Sequence, residues 1–178
     1  MLFRQPIRYP RRVDPHWLDA DERAAWLRLV AVVELLPGVL DTQLRRESGL
    51  THFEYFVLAM LSEAPDRTLQ MTGLAQRTNA TLARLSNVIR RLEDRRLVER
   101  VPCPTDRRAT NVVLTDDGWE LVVASAPGHV AAVREFAIDP LSREQLAQLT
   151  AIGDALLASL DPDGRMTSAP LAADATEG

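Results

Sequence analysis

The sequence predicts a mainly α-helical chain with a small β-wing, and three observations in residues 71–118 carry the prediction. A short helical pattern meets a longer one across a tight turn; two β-branched segments flank a loop of turn formers; and a new helix start follows at once. That order is a winged helix-turn-helix, with apolar helices before and after it whose stripes either serve as a helical dimerisation region or simply pack on each other.

Residues 1–15 are rich in Arg and Pro (Arg4, Arg8, Arg11, Arg12, Pro6, Pro10) and read as an extended arm without an apolar signal-peptide core. A long helix is expected over 21–46, with Trp26, Leu29, Val30, Val33, Leu36, Leu40 and Leu44 on one side and a kink at Pro37 and Gly38. Thr51 and Glu54 form a capping box, with Leu50 and Tyr55 placed as a hydrophobic staple, for a helix reaching about Glu63. Thr72 suits the cap of a short helix carrying Leu74 and Ala75, and residues 78–81 supply cap-type side chains at a chain reversal.

From Thr81, Leu82, Leu85, Val88, Ile89 and Leu92 fall on one apolar stripe, while Ala83, Ser86, Asn87 and Arg90 face away, flanked by Arg84 and Arg91. Short side chains beside Arg let a helix approach base edges and still donate hydrogen bonds, whereas a merely solvated face is usually filled with long charges of mixed sign. Strands over 97–101 and 110–114 then enclose a wing whose tip holds Arg107 and Arg108, suited to a narrow minor groove, with Asp106 near enough to brace one of them. Thr115, Asp116 and Asp117 start a helix carrying Trp119, Val122, Val123, Val130 and Val133, which Pro127 should bend or split. Ser142 and Gln145 cap the last helix, with Leu146, Leu149, Ile152, Leu156 and Leu160 in a stripe, and a loose tail is expected from 161 to 178.

Charge is concentrated where the motif is. The chain carries a formal −4, yet residues 71–114 hold nine Arg against four acidic residues, a local +5, leaving −9 for the remainder. Such a chain repels nucleic acid everywhere except at one module, which orients an encounter with double-stranded DNA. All 21 basic residues are Arg, which skewed genomic base composition explains without a functional reason.

The run Asp106-Arg-Arg-Ala-Thr-Asn-Val-Val-Leu-Thr115-Asp-Asp-Gly118 resembles the wing signature of the MarR-type (multiple antibiotic resistance regulator) bacterial transcription factors, D-x-R followed by a strand and L-T-x-x-G. The segments Arg84 to Glu93 and Leu97 to Arg100 resemble the same family's recognition helix and first wing strand. One departure is Arg96, where the family commonly has Gly; in a left-handed backbone it would cost about 1 kcal/mol. The resemblance implies one subunit over 16–160, with a DNA-binding module at about 51–114 and dimerisation helices at about 21–47 and 115–160. It also implies a homodimer on a pseudo-palindromic operator, a repressor released by a small aromatic or anionic effector. Thr81, Arg84, Ser86, Asn87, Arg90, Arg91, Arg107 and Arg108 would meet DNA, and Trp17, Trp26, His52, Tyr55 and Trp119 are candidates to line an effector site.

Other classes find less support. His16, His52 and His129 are far apart in sequence and fit no metal pattern, although His16 with Asp14 and Asp19 is conceivable for zinc; no phosphate-binding Gly loop or nucleophile elbow is present. No enzyme activity, cofactor or metal is expected. The single Cys excludes an internal disulfide, but Cys103 beside Arg100, Arg107 and Arg108 is the place for a redox switch. A winged helix that binds protein without DNA is a further alternative. The apolar run 29–40 is interrupted by Glu34 and Pro37 and is too short for a bilayer, so a cytoplasmic protein without membrane contact is expected.

Overall fold

The structure, a computed structural model, describes residues 16–104, 106 and 108–166. The arm at 1–15, Thr105, Arg107 and the tail at 167–178 lie outside the described residues. The chain divides into two compact units, Met1–Leu35 and Leu36–Gly178.

In the first unit, Asp19 starts helix α1 (Ala20–Ser48): its carboxylate accepts the N–H groups of Asp21 and Glu22, and Glu22 accepts that of Asp19. This reciprocal arrangement satisfies donors that a helix start leaves open. Most apolar side chains here are exposed, Val33 at 58% and Leu35 at 70%, with Val30 half-buried. Helix α1 continues through Pro37 without interruption. A proline there leaves the carbonyl of residue 33 without its N–H partner, and at an exposed position water can supply one.

The second unit carries the core. Gly49, at φ +63°, ends α1, and Thr51 then caps α2 (His52–Ser62) in a complete capping box with Glu54; Leu50 and Tyr55 are both buried. A 3₁₀ turn (Pro65–Arg67) leads to strand β1 (Thr68–Gln70), which runs straight into α3 (Met71–Arg77). Thr72 is therefore not the cap: Gln70 holds that position, and the Thr72 hydroxyl donates to the Gln70 side chain instead. Helix α4 (Leu82–Asp94), strands β2 (Val98–Pro102) and β3 (Thr110–Leu114), helix α5 (Asp116–Val133) with a π-turn (Arg134–Ile138), and α6 (Arg143–Leu160) follow. The three strands form an antiparallel sheet in the order β1-β3-β2, with Leu69 opposite Val112 and Val101 opposite Asn111.

Leu44, Leu50, Leu58, Leu61, Leu74, Leu85, Ile89, Leu92 and Val112 are fully buried, so α1, α2, α3, α4 and the sheet share one core. Each such side chain contributes about 1.5–3 kcal/mol. Leu82, expected in the stripe, is 51% exposed because it opens the helix at its first turn. Pro127 does not split α5, and residues 161–166 are an ordered turn: the Asp161 carboxylate accepts the N–H groups of Arg165 and Met166. By length and composition alone, Asp116–Ile138 is apolar enough to cross a membrane, with a mean hydropathy of 1.3; only 17% of that window is buried.

Candidate nucleic-acid interface

Two helix ends shape this face. At the end of α3, Asn79 takes φ +47°, its N–H reaches the Gln76 carbonyl, and the N–H of Ala80 reaches back to Ala75 at 2.9 Å. At the end of α4, Arg96 takes φ +61°, its N–H meets the Glu93 carbonyl at 2.8 Å, and Leu97 reaches back to Leu92 at 2.9 Å. Both are Schellman stops, which turn the chain through one left-handed residue. The first makes the reversal between α3 and α4, and the second aims the chain into the wing. Arg96 thus occupies the left-handed position for which Gly is the less strained choice.

On α4, the side chains proposed from sequence are exposed and held. Thr81 caps the helix, its hydroxyl oxygen accepting the Arg84 N–H at 3.2 Å. The Arg84 guanidinium lies 4.1 Å from the centre of the Phe53 ring, a cation–π contact that restricts a long side chain. Arg90 donates to the Asn87 side-chain oxygen at 3.0 Å, and Arg91 donates to Glu54 at 3.1 Å. Burial pushes the Glu54 carboxyl up, but bonds from the Thr51 backbone and Arg91 outweigh it and hold it below its ordinary value. Ser86 accepts from Arg100 of β2 through both its carbonyl and its hydroxyl oxygen. Arg108 is exposed at the wing; Arg107 lies outside the described residues.

The Asp106 carboxylate accepts the backbone N–H of Arg108 at 2.9 Å and so shapes the wing turn. Cys103 is buried, and the Arg100 guanidinium expected beside it is directed at Ser86 and Glu93. Phe53, Glu54, Glu93 and Arg100 are the residues that sequence reasoning missed here. Their partners lie up to 37 residues away, beyond any local spacing rule.

The effector candidates divide. His52 and Tyr55 converge with His129 of α5: Tyr55 and His129 ring centres are 4.6 Å apart, those of His52 and His129 6.1 Å. The two histidines are therefore neighbours, against the sequence reading that kept them apart. Burial lowers both imidazole pKa values, and His129 Nδ1 has no hydrogen-bond partner among the described residues. Trp119 instead lies under the Arg67 guanidinium at 4.3 Å. Trp17 and Trp26 belong to the first unit and are 81% and 53% exposed. Asp19, considered for zinc, is the cap of α1, and no group of three metal-ligating side chains occurs among the described residues.

Residues 48–109 match the family model described as MarR family. The transcriptional regulator MhqR of Bacillus subtilis is 32% identical over 102 residues, covering 57% of this chain and 68% of MhqR. Among solved structures, Sco3205 of Streptomyces coelicolor, a MarR family regulator determined in complex with DNA, is 40% identical. Its TM-score is 0.80, with 85% of this chain and 94% of Sco3205 covered. AbsC, from the same organism, is 37% identical with a TM-score of 0.76, over 85% of this chain and 99% of AbsC. These relatives are transcriptional regulators and not enzymes, and their likeness spans both the helix-turn-helix and the flanking helices. The chain belongs to the MarR family of transcriptional regulators.

Proposed function

We propose that the protein is a cytoplasmic, ligand-responsive repressor that binds double-stranded DNA as a homodimer on a pseudo-palindromic site. One observation carries the reading: an exposed helical face with Arg84, Asn87 and Arg90, each side chain held by a neighbour, beside a wing bearing Arg108. Side chains ordered in advance lose less freedom on meeting base edges, so the face suits a major groove and the wing the adjoining minor groove. The DNA complex of the 40% identical Sco3205 supports the same module here, at about 51–114. Thr81, Ser86 and Arg91 border this contact, and Arg107 would extend it.

Exposed apolar residues support dimerisation through about 21–47 and 115–160. Val123, Val130, Leu149, Ile152 and Leu156 are 41–57% exposed, more apolar surface than a monomer leaves to water without reason. A second copy would cover them and set two recognition helices about one helical turn (~10 bp) apart or a near multiple. The group formed by half-buried His52 and His129 with buried Tyr55 is the favoured place for an aromatic or anionic effector that alters that spacing.

The test is a mobility-shift titration on genomic duplexes at increasing salt. The expected result is retardation by a species of dimer mass, with affinity falling log-linearly in salt. Indifference to every duplex at low ionic strength overturns the reading.

A further inference from the structure

Arg100 of β2 grips α4 at two places. Its Nη2 donates to the Ser86 carbonyl at 2.9 Å and lies 3.4 Å from the Ser86 hydroxyl. Its Nη1 meets the Glu93 carboxylate at 3.3 Å, and its backbone N–H donates to the other Glu93 oxygen at 3.1 Å. Ser86 and Glu93 are two helical turns apart and lie on one side of α4. One wing-strand residue therefore spans the helix from its middle to its last turn. Arg100 also stands opposite Val112 in the sheet, so the grip is transmitted to both strands that lead to the wing.

Both side chains of the pair are about 30% exposed, 31% for Arg100 and 28% for Glu93, and the guanidinium charge is matched locally by a carboxylate. A cation so committed is poorly placed to bind phosphate. Its planar fork suits what it does here, bridging a carbonyl and a carboxylate at fixed separation, which a lysine ammonium does not reproduce.

We propose that Arg100 is a positioning residue that locks the wing to the reading face of α4, so that helix and wing engage one duplex in register. It sets the discrimination between sequences and adds little to the general attraction for phosphate. This rests on the DNA-binding reading above. Helix and wing contacts then behave as coupled: loosening the clasp lets either seat without the other, and the coupling vanishes.

The full chain, with R100M, R100K and E93Q, is titrated against duplexes that the wild type selects from a random library and against a scrambled duplex of equal length. Expected is a fall of about tenfold in the ratio of selected to scrambled affinity for R100M, equally large for R100K, and smaller for E93Q. The salt slope stays that of wild type, and Arg108→Ala costs less affinity for the selected duplex in the R100M background than in the wild type. Amide exchange of the free protein, measured alongside, rises across the wing strands with α2 unchanged. A slope lower by about one with even weakening of all sequences marks Arg100 as a phosphate contact and overturns the proposal, as does wild-type selectivity in R100K. If the wild type binds no duplex, the functional reading falls alone, and the exchange data decide the clasp: unchanged wing exchange in R100M refutes it.

Discussion

Thr115 donates its hydroxyl proton to the Arg96 carbonyl at 2.8 Å while accepting the N–H of Gly118 at 3.0 Å, so the cap of α5 is also a lock on the end of α4. The Thr115 N–H adds a bond to the Leu97 carbonyl at 3.2 Å. Gly118 completes the junction. A Cβ there would stand well inside the van der Waals contact distance of the Leu97 carbonyl oxygen and 2.7 Å from the Leu114 side chain. The Thr and Gly of the L-T-x-x-G run thus have separate physical reasons, one a shared hydroxyl and the other a close backbone approach. Thr115→Val should destabilise the fold by about 1–2 kcal/mol, as lost caps do, and Gly118→Ala by about 1–3 kcal/mol through overpacking. Urea unfolding of each variant measures this, and a Gly118→Ala midpoint equal to wild type would show that the junction yields.

Arg96 makes the opposite prediction. Its left-handed φ of +61° is strained for any side chain, and its guanidinium makes no hydrogen bond among the described residues. Arg96→Gly should raise stability by about 1 kcal/mol, seen as a higher urea midpoint with an unchanged slope. Arg96→Ala, which keeps the Cβ, should give no such gain.

Much of this was legible because the deciding interactions are local. The capping boxes of Thr51 with Glu54 and Ser142 with Gln145, the cap at Thr81, and the strand at 110–114 all lie within four or five residues of their cause. Strand β1 was not legible: three residues, Thr68 to Gln70, are too few for a period-two pattern, and only pairing with β3 makes them a strand. The same limit hid the contacts of Arg84 with Phe53 and of Arg100 with Ser86, and the meeting of His52 with His129, all of which require the fold. Leu82 was misread because helical periodicity assigns a face but not the depth of the first turn.

Arg84 and Arg90 should differ from Arg108 in what their loss does to DNA binding. Arg84→Ala or Arg90→Ala is expected to cost about 1–3 kcal/mol on a selected duplex and to relax the preference at one position of each half-site. Arg108→Ala is expected to weaken all sequences alike and to lower the salt slope by about one. Titrations on selected and scrambled duplexes separate the two patterns. Wild-type affinity in all three variants would mean that this face does not meet DNA.

The paired histidines make stability depend on pH. Burial holds both His52 and His129 below their ordinary value, the charge on His52 adding to the effect at His129 and Asp41 partly offsetting it at His52. The unfolded chain, titrating near 6.5, therefore binds more protons than the folded one as pH falls. Their contribution is fully present above about pH 6.5 and is lost as pH drops toward the lowered folded values. Glu54 and Asp41, both lowered, add a further loss in the more acid carboxylate range. Urea midpoints from pH 5 to 8 should rise with pH in the wild type and rise less in His52→Gln/His129→Gln. An identical slope in the double variant would remove the histidines from the account.

The proposed dimer makes its own prediction at α6. Leu149, Ile152 and Leu156 repeat at spacings of three and four, so they form one stripe, and they are 51%, 57% and 41% exposed. A carboxylate placed in that stripe would be desolvated if a second copy covers it, at a cost of several kcal/mol, yet would be harmless on a free surface. Ile152→Glu should therefore weaken self-association by roughly a hundredfold, corresponding to about 3 kcal/mol, with the helix content of the chain unchanged. Sedimentation equilibrium at micromolar protein reads the mass. The same variant should lose affinity for a duplex carrying two half-sites while keeping the weak affinity of one module for a single half-site, because only the linkage between modules has been removed. A variant that retains dimer mass would place Ile152 on the solvent side of α6 and move the interface to the other apolar helices.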